Sequence, residues 1–261
     1  MTTDTTPFFV QIPNRGLIHI EGEERYEFLQ NIITNDIEEL KSKGSLYACL
    51  LTAHGKFLHD FFLMQGDDFI LIDCEGGARA MDLFGRLMMF RLRAKVKISI
   101  EDDVPAYAVF GQTPAPGFHD PRSADLGWRT YNTKPNISDE KPFAFWDTIR
   151  IKNGIPDGSR DMIIEQSNLI ECNIDQIGGV SFTKGCYVGQ ELTARLHNRG
   201  LSKKHLYTVQ LPQDHPEENN TIEIDERYVG DLRSRQGNLA LAVIKDAEIE
   251  KLSQTTIKLL D

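Results

Sequence analysis

Residues 180–200 carry the sequence VSFTKGCYVGQELTARLHNRG, which tells more about this chain than any other stretch of it. Glycines punctuate the first half, and the second half has the composition of a short polar helix. We expect a loop that runs into a helix beginning near Val188 or Gly189 and ending at Gly200. This arrangement places Cys186 just before the N-terminus of a helix.

Cys186 has two interpretations at this point. The positive end of a helix and the neighbouring Lys184 both favour a thiolate and lower the pKa of a thiol. The flanking glycines leave the sulfur little covered, which favours a functional thiol. The alternative is a small buried hydrophobic residue, which is the usual role of cysteine. Basic residues follow directly in the sequence, namely Arg195, His197, Arg199, Lys203, Lys204 and His205.

Upstream of this segment, strand and helix patterns alternate, as judged from the spacing of apolar residues. The two histidines that flank the turn between the hairpin strands, His54 and His59, are expected to be exposed polar residues. The predicted elements are a strand at 15–20, a helix at 23–34, hairpin strands at 45–51 and 57–64, a strand at 69–74, a helix at 78–90 and a strand at 95–100.

The remaining chain changes character twice. Residues 111–135 are rich in Pro, Gly and Asp and form a connecting region with one strand near residues 128–131. Residues 143–153 predict a helix that Gly154 and Pro156 end. Short strands then follow from residue 203 onward, which is typical of a small barrel; they are predicted at 206–211, 221–224, 228–232 and 239–244.

The chain has 261 residues, 40% of them hydrophobic and 26% charged, with a formal net charge of −10. This composition supports a folded core and disfavours a protein that binds nucleic acid over its whole surface. No apolar stretch approaches the ~18 residues of a membrane helix, and the N-terminus resembles neither a secretory signal nor a transit peptide. The four cysteines have no C-x-x-C spacing and are expected to be reduced. We therefore expect a cytoplasmic bacterial protein without membrane association.

One segment departs from the acidic balance of the chain. Residues 83–98 hold five basic residues and no acidic one. Either they form a solvated face that pairs with the protein's own acids, or they form a wall that binds anions. The basic residues are Arg86, Arg91, Arg93, Lys95 and Lys97.

The string Lys184-Gly185-Cys186-Tyr187-Val188-Gly189-Gln190-Glu191 resembles the signature of the YgfZ family. These folate-binding proteins are related to the glycine-cleavage T-protein, an aminomethyltransferase. The resemblance extends over nearly the whole chain, in family order, through residues 15–18, 28–36, 51–60, 91–96, 120–122, 228–230 and 240–242.

The resemblance implies a T-protein-like α+β fold. Two ferredoxin-like α+β units and a small C-terminal β-barrel would surround a central cavity the size of a folate. The first unit would be discontinuous, from residues 1–45 and 118–202. The second unit would span residues 46–117, and the barrel residues 203–261.

The resemblance also implies a function. The protein would bind tetrahydrofolate or a one-carbon derivative and support the assembly or repair of [4Fe–4S] enzymes, including enzymes that modify tRNA. Its partners would be reduced folate and iron–sulfur client or assembly proteins, whereas direct contact with tRNA is not expected. The catalytic candidates are Cys186, Asp60 and Lys184. Cys186 would be a nucleophile, a transient ligand of iron or of a cluster, or a redox thiol, and Lys184 would lower the pKa of this thiol. The candidates for binding the cofactor are Arg195, His197, Arg199, Gln190 and Glu191, and no metal site is expected.

The T-protein relation supplies an alternative, a tetrahydrofolate-dependent aminomethyltransferase that uses Asp60. In that enzyme a carboxylate contacts the pterin, but the matching string here is Arg150-Ile151-Lys152-Asn153-Gly154, so Lys152 takes its place. A carboxylate accepts the paired N–H donors of a pterin edge, and an ammonium group cannot. A third hypothesis is an interaction module without catalysis. Whether the chain is an enzyme stays open at this point.

Overall fold

The computed structural model describes residues 6–114, 116–252 and 255–260. Its strands are β1 (Phe8–Ile12), β2 (Arg15–Glu21), β3 (Ser45–Leu51), β4 (Phe57–Gln65), β5 (Phe69–Glu75), β6 (Lys97–Glu101), β7 (Ala106–Phe110), β8 (Phe118–His119), β9 (Trp128–Tyr131), β10 (Glu140–Lys141), β11 (Lys204–Gln210), β12 (Thr221–Ile224), β13 (Arg227–Gln236), β14 (Leu239–Lys245) and β15 (Lys258–Leu260). Its α-helices are α1 (Arg25–Gln30), α2 (Leu40–Lys43), α3 (Ala78–Arg91), α4 (Phe143–Lys152), α5 (Gln190–Arg199) and α6 (Ile249–Leu252). Short 3₁₀ helices span Ile37–Glu39, Ala124–Leu126, Gly158–Arg160 and Asp246–Glu248.

Within the described residues, the strands form three sheets of five strands each. The central sheet has the order β3-β4-β5-β2-β6, and all its neighbours are antiparallel. The N-terminal sheet has the order β10-β1-β7-β9-β8, and the C-terminal sheet has the order β12-β13-β14-β11-β15. The structure contains both α-helices and β-sheets, which confirms the predicted α+β class.

The central sheet is buried on both faces, because its side chains alternate between two apolar layers. One face packs Ile18 against the helices α1 and α3, through Leu29 and Leu83. The opposite face carries Phe62 and packs against the N-terminal sheet through Val10. Asp60 lies two residues before Phe62 on β4 and therefore belongs to this second face.

The hairpin β3–β4, the strands β2 and β5 and the helix α3 confirm the predicted elements. The helix predicted at 23–34 is shorter, since α1 ends at Gln30. Residues beyond it turn to pair with β3: the Thr34 N–H donates to the Cys49 oxygen, and the Cys49 N–H donates to Thr34 Oγ1. These long-range bonds outweigh the amphipathic pattern that continues to residue 33.

Sheet membership differs from the predicted division of the chain. That division places residues 15–21 in the first unit, but β2 lies in the central sheet between β5 and β6. Conversely, it places β7 in the second unit, whereas β7 pairs with β1 and β9 of the N-terminal sheet. Within the described residues the chain crosses between the two sheets twice, as a division at residues 45 and 117 also requires, but the crossings lie at residues 13–14 and 102–105. The division into domains itself stays a prediction.

The C-terminal strands occur where they are predicted and form an open half-barrel. Its outer strands β12 and β15 do not pair with each other within the described residues. The sheet is attached to α4 and the loop after it: Thr208 Oγ1 donates to the Ile151 oxygen at 2.8 Å, and the Ser234 N–H donates to Asp161 Oδ1 at 2.7 Å.

Candidate functional site

The loop of residues 180–189 is fastened to the end of α1. The Ser181 N–H donates to the Thr34 oxygen at 3.0 Å, and the Val188 N–H donates to the Asn31 oxygen at 3.3 Å. These two bonds lie on either side of Cys186. They hold the loop at both ends, so that the thiol has a defined position on the surface.

Lys184 ties the same loop down from its centre. Its ammonium nitrogen lies 2.6 Å from the Gln30 oxygen and 2.8 Å from the oxygens of both Ile33 and Asn35. An ammonium group has three donors, and all of them are used here. Carbonyls at a helix C-terminus lack intrahelical partners, and Lys184 satisfies that of Gln30 together with two carbonyls of the segment that follows α1. Burial lowers the pKa of Lys184 to about 8.

The predicted role of Lys184 is to act on the Cys186 thiol. Because its three donors point to backbone oxygens, none remains for the Cys186 sulfur. The lysine of the motif therefore holds the loop in place, and its action on the Cys186 thiol stays a prediction. No local pattern reveals this role, because the partners of Lys184 lie about 150 residues away in the chain.

Cys186 is exposed, whereas the other cysteines, Cys49, Cys74 and Cys172, are buried and all four are free. Burial raises the pKa of the Cys74 and Cys172 thiols to about 12. The residue after Cys186 is Tyr187, which is buried in the core together with Cys49. The loop thus turns one cysteine outward between an anchored lysine and an anchored tyrosine.

The start of α5 sits directly on the turn between β3 and β4, where two glycines meet. Gly189 has φ +80°, and a Cβ there would lie 2.3 Å from the Thr52 oxygen. Gly55 has φ +77°, and a Cβ there would lie 2.7 Å from Leu192 Cβ. Neither position accepts a side chain. This close approach explains why the turn between β3 and β4 and the motif of residues 184–191 both contain glycine.

The predicted cofactor-binding residues of α5 have different surroundings. Arg195 and Glu191 line a groove of about 270 Å³ beside His54. His197 stacks on Phe182 with ring centres 3.7 Å apart and lies 3.4 Å from an Asp175 carboxylate oxygen.

Two further candidates on this helix have other environments. Gln190 Oε1 accepts the Tyr187 N–H at 3.1 Å, which is a local contact at the start of α5. Arg199 is exposed in the last helical turn. Their role in binding a cofactor stays a prediction.

Asp60 lies away from these residues, on the inner face of the central sheet. It is half-buried on β4, opposite Cys49 of β3, and Tyr47 donates its hydroxyl to Asp60 Oδ2 at 2.8 Å. Burial raises the pKa of Asp60, against the opposing effect of the Tyr47 hydrogen bond. The negative charge of Asp157 raises it further, whereas Arg15 and Arg122 lower it. This carboxyl therefore exchanges its proton nearer to neutral pH than an ordinary aspartate does.

A cavity of about 190 Å³ opens beside Asp60. Gly158 forms part of its wall with φ +50°, and a Cβ at this position would lie 3.0 Å from Asp60 Oδ1. The lining carries both signs of charge, with the carboxylates of Glu75 and Asp157 and the guanidinium groups of Arg15 and Arg160. The other lining residues are Ile12, Pro13, Asn14 and Phe143.

The Asp157 carboxyl has a lowered pKa. Burial by itself would raise its pKa, but Arg150 and Arg160 outweigh that effect and hold the pKa below its ordinary value. Asp157 is thus ionised at every physiological pH, whereas Asp60 beside it holds its proton more tightly. The cavity lining thus contains Asp157 as a permanent hydrogen-bond acceptor, and the titratable Asp60 lies next to Gly158 of the wall without lining the cavity itself.

A buried chain of ion pairs supports this face of the sheet. Asp73 accepts from Arg15 Nε at 2.6 Å and from Arg129 Nη1 at 2.7 Å. Arg129 Nε reaches Asp120 at 3.2 Å, and Asp120 binds Arg122 through both of its oxygens. Two arginines of this chain, Arg15 and Arg122, are the ones that lower the pKa of Asp60.

The sequence contains a signal for part of this network. Asp73 interrupts the apolar strand FILIDC, and a charge inside a buried strand requires partners. Asp120 and Arg122 are indicated only by the family resemblance. The lining residues Glu75, Asp157 and Arg160 were missed, because loops that meet in space have no common spacing in the sequence.

Lys152 lines a different cavity. It borders a polar groove of about 610 Å³ between α4 and the C-terminal sheet, together with His205 and Tyr207. The residue that replaces the pterin carboxylate in the predicted alignment therefore does not face the cavity beside Asp60.

The prediction for the hairpin histidines is right for one of them. His54 is exposed, but His59 is 2% exposed and its Nε2–H donates to Asp82 at 2.7 Å. The prediction for His59 is wrong because α3 covers this part of β4. Burial, followed by the nearby Arg79, lowers the pKa of His59 to about 4.

No group of three or more His, Cys, Asp or Glu side chains is arranged to hold a metal ion within residues 6–114, 116–252 and 255–260. In the same part of the chain, no helix has the length and apolar character needed to cross a membrane.

The fold defines the class of protein. The structure matches aminomethyltransferase T of the glycine cleavage system from Bartonella henselae with a TM-score of 0.75, over 95% of this chain and 80% of that one. The two sequences are 16% identical, so this likeness shows the fold alone. The predicted T-protein-like fold is confirmed.

The sequence is similar to iron–sulfur cluster assembly factors. It is 28% identical to human mitochondrial IBA57 over an alignment of 279 positions, which covers 92% of this chain and 78% of the human protein. It is 30% identical to the mitochondrial IBA57 homologue of Mycosarcoma maydis, of which it covers 57%. The chain thus spans a little over half the length of this fungal relative. No family model matches the chain.

These relatives correct one prediction. The human, mouse and fungal proteins are all named as mitochondrial, which overturns the expected cytoplasmic location. That expectation is based on an N-terminus that resembles neither a secretory signal nor a transit peptide and on the lack of a long apolar stretch. The composition of such short stretches does not distinguish the two compartments.

Proposed function

We propose that this chain is an iron–sulfur cluster assembly factor of mitochondria that presents the Cys186 thiol to partner proteins. The observation that carries the proposal is the exposed Cys186 on a loop fixed at both ends, in a chain similar to IBA57 over 92% of its length. The T-protein-like fold supplies the scaffold, with two α+β units that we take to be ferredoxin-like.

In this role the cluster is cargo rather than a resident cofactor. A [4Fe–4S] cluster needs four ligands, usually cysteine thiolates. Cys186 is the one exposed cysteine, and no group of three or more His, Cys, Asp or Glu side chains among the described residues is arranged to hold a metal ion. The chain therefore contributes a single thiolate, and a client or assembly protein must contribute the rest. Enzymes that modify tRNA are included among the clients, without direct contact between this chain and tRNA.

We further propose that the cavity beside Asp60 binds the pterin ring of a reduced folate. Asp157 and Glu75 offer carboxylate oxygens to the paired N–H donors of a pterin edge, and Arg15 and Arg160 offer donors to its carbonyl oxygen. Phe143 adds an apolar wall. In this proposal Asp157 and Glu75 replace the pterin-binding carboxylate that is absent at position 152.

The size of this cavity limits what it holds. At about 190 Å³ it is smaller than the ~300–1,000 Å³ of sites that enclose a whole ligand of drug size. A ring system fits, and the glutamate tail must extend outside. Arg195, His197 and Arg199 stay candidates for contacting that tail, because arginine pairs carboxylates bidentately. Gln190 and Glu191 stay candidates beside them.

The test of the iron–sulfur role is complementation. In cells that lack the protein, [4Fe–4S] enzyme activity is measured after expression of wild type, Cys186→Ala or Thr183→Ala, a matched change of an exposed residue in the same loop. We expect wild type and Thr183→Ala to restore activity and Cys186→Ala to fail while keeping its melting temperature. Normal enzyme activity in the cells without the protein would exclude the role.

The test of folate binding is calorimetry with tetrahydrofolate. We expect Asp157→Asn and Glu75→Gln to weaken binding, since each change removes an ionised acceptor. Lys152→Gln should bind as wild type does, because Lys152 lines another cavity. Equal affinity of all variants for tetrahydrofolate would exclude this cavity as the folate-binding site.

One observation favours the second function, aminomethyl transfer to tetrahydrofolate. Asp60 is a half-buried carboxyl with a raised pKa and a tyrosine hydroxyl in contact, which suits proton transfer. The assay is formation of methylenetetrahydrofolate with a lipoylated aminomethyl carrier. Turnover that Asp60→Asn abolishes would support transferase activity, and absence of turnover with the authentic carrier would remove it.

A further inference from the structure

The helix α3 has two apolar faces. Its inner face, with Ala80, Leu83 and Leu87, is buried against the central sheet. At 100° per residue, a second set of apolar residues falls on the outer face within one stripe. This outer stripe consists of Met81, Met88 and Met89, which are 53%, 37% and 68% exposed, followed by Leu92 at 86%.

The outer stripe is shaped for contact with another helix. Gly85 lies at its centre, and no atom comes within 4 Å of a Cβ placed there. The gap lets a partner approach closely, and methionine side chains on both sides adapt to the surface that they meet. Contiguous exposed apolar residues of this kind mark interaction surfaces.

The outer stripe ends at a groove of about 320 Å³ that also borders the loop of residues 180–189. Phe28, Ile32 and Phe90 form its apolar floor, and Val188 closes one side. Val188 is two residues from Cys186. A partner that fills the groove is therefore brought next to the exposed thiol.

The charges beside the groove indicate the chemistry of the partner. Of the basic segment 83–98, Arg86 pairs with Asp82 and Lys97 with Glu21. No ion pair includes Arg91, Arg93 or Lys95 within the part of the chain that the structure describes. Arg91 and Arg93 line the groove and Lys95 follows them in the sequence, in a chain whose net charge is −10. The lining also holds Glu24 and Glu27, and Glu24 Oε2 accepts the Lys95 N–H at 2.9 Å.

Other occupants fit less well. A second copy of this chain would bring the same arginines together across a two-fold axis, which is repulsive. An anionic membrane surface is broad and flat, and it would leave the concave groove unfilled.

We propose that the outer stripe of α3 and its groove dock a protein helix whose apolar face is flanked by carboxylates, and that this partner is the iron–sulfur protein that meets Cys186. The geometry is that of an amphipathic helix lying in an apolar groove. The second half of this statement rests on the proposed function, whereas the docking surface stands on its own geometry.

The probe is a synthetic amphipathic helix with a leucine face flanked by glutamates, and its counterpart flanked by lysines. We expect the full-length protein to bind the glutamate peptide about tenfold more tightly, and the difference to shrink as salt is added. Met89→Glu and Gly85→Arg should abolish binding, whereas Met89→Leu should retain it. Both positions lie on the exposed outer stripe, so the melting temperature of all three variants should stay near that of wild type.

Several results would overturn the docking surface. These are equal binding of the two peptides, unchanged binding by Met89→Glu, a dimer in sedimentation that Gly85→Arg disrupts, or binding to phosphatidylserine vesicles that Met89→Glu abolishes. The two proposals fail separately. Cys186→Ala should still bind the peptide, and if it also restores [4Fe–4S] activity the proposed function fails alone. If wild type restores activity but Met89→Glu restores it equally, the docking surface fails alone.

Discussion

The ammonium nitrogen of Lys184 lies 2.6 Å from the backbone oxygen of Gln30, the last residue of α1. The same nitrogen binds two more carbonyls of the turn that follows. A residue that belongs to the most specific motif of the sequence thus completes the end of a distant helix. The thiol two residues later is held in place as a consequence.

We predict that Lys184→Met destabilises the fold by about 2–4 kcal/mol, because it leaves three backbone acceptors without their charged donor. Lys203→Met is the matched control, since the Lys203 side chain is exposed. The measurement is urea unfolding of both variants. Equal midpoints would show that the three bonds contribute nothing to stability.

Cys186 should be the one cysteine that reacts in the native protein. We predict that a thiol reagent such as dithionitrobenzoate modifies one thiol rapidly, and all four only after denaturation. The buried thiols are slow because they are covered and because burial raises the pKa of Cys74 and Cys172 to about 12. Cys186→Ala should remove the rapid phase and change stability by less than about 0.5 kcal/mol. A rapid phase that persists in this variant would contradict the assignment.

The elements that the sequence predicts correctly are those whose formation depends on residues close together in the chain. The hairpin β3–β4 and the helix α3 follow from alternation and helical spacing in single stretches. The early end of α1 was not predictable, since it depends on Lys184 and on the pairing of Thr34 with Cys49. For the same reason the cavity beside Asp60 was missed: Asp157 reaches it from a loop nearly a hundred residues away.

His59 should make stability depend on pH. Its pKa is about 4 in the folded protein and 6.5 in an unfolded chain. Between these values the unfolded chain binds a proton that the folded protein does not, so the free energy of unfolding falls as the pH is lowered from 6.5. The loss levels off below pH 4 and amounts to about 3 kcal/mol. The groups that face His59 are Arg79, Asp82 and Arg86, and the two arginines oppose its protonation.

The measurement for His59 is the free energy of unfolding at several pH values. His59→Gln should flatten the decline between pH 6.5 and 4 relative to wild type. His54→Gln, at an exposed position of the same hairpin, should leave the decline unchanged. A decline that is identical in all three proteins would assign it to carboxylates instead.

Gly158 and Gly178 allow the wall of the cavity to be tested separately from backbone strain. Both have positive φ, +50° and +73°, so alanine strains the backbone at either position. Only at Gly158 would the new Cβ meet another group, Asp60 Oδ1 at 3.0 Å, because nothing lies within 4 Å of the Cβ position at Gly178. We predict a loss of about 1 kcal/mol for Gly178→Ala and a larger loss for Gly158→Ala. Gly158→Ala should also weaken tetrahydrofolate binding, since the methyl group enters the space beside Asp60, whereas Gly178→Ala should bind as wild type does. Equal effects of the two substitutions on both stability and affinity would mean that the ligand does not use this cavity.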